Sequence, residues 1–284
     1  MGTSGGYGGP STGLVPSWVD NPGSASSPAL PSSTAPAVQA GTSPAQSQPR
    51  LDRPDRSAGG SLGAARASFS RFSNTGSRSS LGSALSHYVR TGTGGSGGAA
   101  RRMGASRAVG SRLLGVVRDV QRLGAAEALR QRFNLPGLAG RPATDVFMAL
   151  LEFVCPPGGA VDEAIARQAM LDTIAHHAEG GVGTFDAMTS DQLQEFFLDF
   201  IARSIEGRVM ADLGSRGITL PDDVAAVDRA QRQLHDFVVG CTRGELPKHL
   251  NGLDRANDAQ VERIANMIYE TAFELIVVAA EEAE

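Results

Sequence analysis

The chain offers two alkyl amines for chemistry. Lys248 is its only lysine, against 25 arginines. Removal of Met1 would free the second, the α-amine of Gly2. An unperturbed α-amine has a pKa of about 8 and a lysine of about 10.4, so near neutral pH the Gly2 amine is the better nucleophile. Glycine has no side chain to obstruct an approaching acyl group. Behind it run Thr3, Ser4, Gly5, Gly6, Tyr7, Gly8, Gly9 and Pro10, and then Trp18, the only tryptophan of the protein. Isolated aromatics in a glycine-rich tail are anchors for another protein's groove, which makes Thr3, Ser4, Tyr7, Pro10 and Trp18 candidate partner contacts. A plain unstructured terminus accounts for the same composition. The Met1-Gly2 start also invites N-myristoylation, but that motif needs Ser or Thr where this chain has Gly6.

Other reactive types are placed less suggestively. Cys155 and Cys241 sit in apolar surroundings and read as two buried thiols of a reducing cytosol. His176 and His177 are adjacent, so on a helix they point roughly 100° apart and do not face one metal together. They decorate a helix end, where cations suit the dipole. No zinc spacing is present, so no metal site is expected. Asp222-Asp223 suits a helix start better than acid–base work. A phosphate-cradling glycine loop next to a strand is missing. No catalytic residue and no cofactor are expected. Arg71, Arg78, Arg90, Arg101, Arg102 and Arg107, interleaved with Phe69, Phe72, His87 and Tyr88, permit a second reading, an adaptor that contacts nucleic acid.

Composition divides the chain. Nine of the 15 prolines fall in residues 1–60, and no apolar run before residue 103 is sustained. Residues 1–110 carry ten Arg and three Asp, a net of +7, whereas residues 111–284 carry a net of −11. A basic arm on an acidic body can bind in trans, or it can fold back onto its own body. The expected organisation is a glycine-rich recognition tail over 1–20, a disordered linker over 21–60, a basic docking segment over 61–102 and an α-helical domain over 103–284. Phe69, Phe72, Leu85, His87 and Tyr88 would be the anchors of the docking segment. No secretory h-region exists and the longest apolar run, Leu275 to Ala280, is too short for a bilayer, so a cytoplasmic protein without membrane contact is expected.

The elements are helical. Stripes recur at Leu113, Val116, Val117, Val120 and Leu123, and at Val146, Phe147, Leu150, Leu151 and Val154, the latter stopped by Pro156-Pro157. A less regular helix spans about 161–178 before Gly180-Gly181. Thr189 and Gln192 have capping-box spacing ahead of Leu193, Phe197, Ile201 and Ile205. Pro221 with Asp222 and Asp223 opens another helix, and the last starts near Asn257. The fold class expected is all-α, a bundle of six or seven helices behind a long, largely disordered Gly/Ser/Pro-rich arm.

Three blocks carry a resemblance: MGTSGGYGGP with the following Leu14–Trp18, the stretch Ser86–Gly92 (SHYVRTG), and LPDDVAAVDRAQ from Leu220. Together they resemble the QatB family of bacterial Qat anti-phage defence systems. The resemblance implies a four-gene neighbourhood containing an ATPase, a QueC-like enzyme and a TatD-like nuclease, and no catalytic residue in this component. It also implies a use for the tail. QueC enzymes adenylate the carboxylate of a 7-deazaguanine and let an amine attack it. A defence relative could take the Gly2 amine instead of ammonia. The QueC-like protein is then the main partner, with the ATPase and the nuclease as further ones.

Overall fold

A computed structural model describes residues 61–156, 158–181, 183–214 and 224–283. The tail residues Gly2, Thr3, Ser4, Tyr7, Pro10 and Trp18, the 21–60 linker and the Pro221–Asp223 helix start lie outside the described residues.

Among these residues the fold is all-α, with ten helices instead of the six or seven expected and no strand beyond one isolated bridge between Pro142 and Thr184. They are α1 (Gly63–Thr75), α2 (Arg78–His87), α3 (Ser96–Arg101), α4 (Gly104–Leu123), α5 (Ala125–Phe133), α6 (Ala143–Val154), α7 (Val161–Glu179), α8 (Ser190–Gly214), α9 (Val224–Thr242) and α10 (Asp258–Glu282). Helix α10 packs against α2, α3, α4 and α9, while α7 lies on α8 and α4 covers both α7 and α8.

Local chemistry sets the helix ends. Gly76, at φ 67°, ends α1 and donates its N–H to the Phe72 carbonyl, a left-handed cap that costs glycine little. The Thr189–Gln192 capping box forms as expected: Thr189 Oγ1 accepts from the Gln192 N–H at 3.2 Å and Gln192 Oε1 from the Thr189 N–H at 2.9 Å. Asn257 caps α10 in the same reciprocal way with Gln260. Helix α6 stops at Val154, two residues before Pro156, because proline has no N–H to give.

The boundary expected at residue 103 is not a seam. Ala65, Phe69, Phe72, Leu81, Leu85, Tyr88 and Val89 belong to the same hydrophobic core as the later helices. Helix α2 approaches α10 closely at Gly82, where an added Cβ would stand 2.6 Å from the Ala280 carbonyl oxygen. After α2 the chain widens into a π-helical turn over Tyr88–Gly92. This turn seats Tyr88 fully inside.

Candidate functional site

Of the expected docking anchors, Phe69, Phe72, Leu85 and Tyr88 are each at most 1% exposed, so their side chains serve the protein's own core. This corrects the reading of 61–102 as a segment whose aromatics reach for a partner. Phe69 and Phe72 pack on each other with ring centroids 5.6 Å apart. Rings held this way cannot stack on bases, so the Arg/aromatic pattern does not make a nucleic-acid platform at Phe69, Phe72 and Tyr88. His87 is half-buried at the end of α2, and its Nδ1 is buried without a hydrogen-bond partner.

What fixes this segment is Asp212, on α8, a residue without any sequence signal beyond its i,i+4 spacing from Arg208. Tyr88 donates its hydroxyl to Asp212 Oδ2 at 2.9 Å. Arg208 grips the same carboxylate with Nε at 3.2 Å and Nη2 at 3.1 Å. Arg102 Nε lies 3.3 Å from Oδ2, and Arg66 donates to the Asp212 carbonyl at 2.8 Å. Arg208 reaches on to Asp162 of α7. Burial, and then the charge of Asp212, push the Tyr88 phenol well above its ordinary range, so it remains a donor. Such a paired and hydrogen-bonded carboxylate is a structural clasp, not an acid–base group.

The two thiols are subdued. Burial pushes the thiols of Cys155 and Cys241 up to about 11, so neither is a thiolate at neutral pH. Lys248 Nζ is paired with Glu245 Oε1 at 2.6 Å.

One cleft, of about 380 Å³, lies between α7, α8 and α9. It brings His176 and His177 together with His235 of α9, a residue sequence spacing did not single out. Leu198, Ala202 and Val239 supply apolar walls. His177 packs its ring against Phe196, centroids 5.0 Å apart, and its Nε2 is buried 3.8 Å from Asp199 Oδ2 without a hydrogen-bond partner. Burial lowers its pKa, so the ring is neutral at pH 7. His235 Nδ1 sits 3.0 Å from Glu206 Oε2. Apolar walls with a few convergent polar groups can hold a small ligand or a partner's side chain. Among the described residues no group of His, Cys, Asp and Glu is arranged to hold a metal ion. Likewise no described helix is long and apolar enough to cross a membrane.

A family model described as "Qat anti-phage system associated protein QatB" matches residues 94–276, from just before α3 into the last turns of α10. No curated protein and no solved structure matches the chain. A match over more than half of the chain, spanning the helices that build the core, places this protein in the QatB family of Qat anti-phage systems.

Proposed function

We propose that this protein is a non-enzymatic subunit of a Qat defence complex that presents its N-terminal glycine tail to the QueC-like partner. The tail is the protein substrate. The Gly2 α-amine attacks the adenylated carboxylate of a deazaguanine-type acid, an amide forms, AMP leaves and the amine sheds a proton. The reaction belongs to the cytoplasm, where the operon partners are made, and the ATPase and TatD-like nuclease join the same assembly.

The observation that carries this reading is the tail's own sequence. Once Met1 is removed, it holds an unhindered amine at the head of five glycines within residues 2–9. Tyr7 and Trp18 follow, to fill pockets outside the active site and offset the entropy of ordering the strand. Support comes from the body, where burial holds down both competing thiols.

Intact-mass and peptide mass spectrometry of the full chain co-expressed with its operon neighbours tests it. The expected result is an adduct confined to the peptide beginning at Gly2, lost in Gly2→Val and kept in Lys248→Arg. An unmodified Gly2 in a fully active system refutes the proposal.

A further inference from the structure

Helices α4 and α10 run antiparallel, with Arg118 beside Asp258 and Arg107 beside Asn266. Between them lie two cavities, of about 420 and 280 Å³, that share Arg107 and Asn266 and so form one groove. Along the groove stand Arg112 and Arg107 of α4, Arg263 of α10 and Arg101 of α3. Among the described residues no carboxylate comes within ion-pair distance of any of the four, although acids elsewhere in the body pair freely with arginine. Their guanidiniums hold only neutral groups or none: Arg107 Nε donates to Asn266 Oδ1 at 2.7 Å, Arg112 Nη1 to the Val154 carbonyl and Arg263 Nε to the Ala259 carbonyl. Ser111 Oγ lines the same groove, buried without a hydrogen-bond partner. Planar guanidinium forks with free N–H groups match carboxylates and phosphates. A run of unneutralised arginines on a body that is acidic overall is a place for an anionic partner.

Two features select among anions. Glu262 and Glu270 line the groove between the arginines, and neither has an ion-pair partner among the described residues. A phosphodiester chain, with one charge at every step, would bring phosphates against both. No aromatic ring lines either cavity, so bases would find no stacking surface. Val261, Ala108 and the half-exposed Met267 provide an apolar floor instead. We infer that the α4–α10 groove docks an acidic segment of a partner protein, whose carboxylates meet Arg101, Arg107, Arg112 and Arg263 and whose occasional basic residue meets Glu262 or Glu270. The site is independent of the fate of Gly2.

The test is fluorescence polarisation on the full chain with two probes of equal net charge. One is a labelled Asp/Glu-rich peptide carrying a single lysine, the other an oligodeoxythymidylate. The peptide should bind more tightly, and its affinity should fall as salt rises. Arg101→Glu with Arg263→Glu, both exposed side chains, should weaken it by about tenfold or more. Glu262→Lys with Glu270→Lys should raise oligonucleotide affinity by a similar factor. If the arginine pair disturbs folding, as read by circular dichroism, Arg101→Gln with Arg263→Gln gives the same comparison at smaller amplitude. Tighter binding of the oligonucleotide by the unaltered protein overturns the inference in favour of a nucleic-acid groove. Peptide binding that is absent, or indifferent to the arginine changes, overturns it outright.

Discussion

Phe72→Ala separates two roles for the segment 61–102. Phe72 is 1% exposed and packs on Phe69 within the shared core. Truncating a buried phenylalanine removes its transfer free energy and leaves a cavity, together about 3–5 kcal/mol. A domain of ordinary stability has only about 5–15 kcal/mol in total. For a body of this size each kcal/mol lowers Tm by roughly 2–4 °C, so the variant should melt roughly 6–20 °C lower. The matched control is Phe153→Ala. That ring is 50% exposed and packs on the partly buried Phe133, centroids 5.2 Å apart. Losing one such surface pair should cost about 1 kcal/mol. Urea unfolding of the full-length variants, followed by circular dichroism, gives both numbers. Equal, small losses for the two variants, with co-purification of operon partners abolished only in Phe72→Ala, would refute the core assignment and restore the segment as a partner-docking arm.

Gly82→Ala and Gly240→Ala should have opposite signs. At Gly82 the new methyl meets the Ala280 carbonyl at 2.6 Å, a clash of about 1–3 kcal/mol, whereas at Gly240 it meets open space and gains up to about 1 kcal/mol of helix propensity; thermal melts check both. Cys155 and Cys241, with thiols at about 11, should react with a disulfide reagent at pH 8 about a hundredfold more slowly than a free cysteine until the chain is unfolded. His177 is held neutral in the folded state by burial. As pH falls through the unfolded value of about 6.5 the unfolded chain takes up the proton first, so stability drops until native His177 titrates too; His177→Gln should flatten a slope of up to about 1.4 kcal/mol per pH unit in urea titrations.

Helices with a sustained apolar stripe were legible in the sequence. Helices α4, α6, α8 and α10 lie where the periodicity puts them, and the Thr189–Gln192 box and the Asn257 start are observed as caps. Helices α1 and α3 are hidden because their letters resemble linker, whereas Leu81, Leu85 and Tyr88 at helical spacing point to the short helix α2 but not to its burial. Serines and glycines occupy buried positions there: Ser68 and Ser73 on α1, Gly82 on α2 and Gly98 on α3. Ser73 hides its polarity by donating to the Phe69 carbonyl within its own helix, at 2.9 Å. Small residues also let backbones approach, so the stretch packs tightly with few large apolar side chains to reveal it. The Asp212 clasp and the histidine cleft join residues far apart in the chain, and no local spacing rule reaches that distance.

Charge shows the same distinction between what a sequence contains and what it does. A basic first part and an acidic second part leave open whether the arm binds in trans or folds back. For residues 61–102 the structure decides for folding back. Arg102 lies against the Asp212 carboxylate and Arg90 pairs with Glu281 of α10, so these two positive charges are counter-ions of the body's own acids, while Arg66 bonds the Asp212 main-chain carbonyl. For Arg90 and Arg102 the apparent contrast between two surfaces is the two sides of one internal contact. The Asp212 part of that contact is about nine-tenths buried at the carboxylate and anchored by a phenol held in its donor form. Removing one member, as in Asp212→Asn, leaves Arg208 and Arg102 facing a neutral group in a half-buried setting. The cost of such uncompensated charge exceeds that of an exposed ion pair. Among the arginines left without an ion-pair partner once these pairs form are Arg101, Arg107, Arg112 and Arg263. Those four stand together along one groove, not scattered over the surface. Basic residues of the sequence thus sort by partner: Arg102 and Arg208 are spent in the clasp, whereas the four of the groove still have charge to offer another molecule.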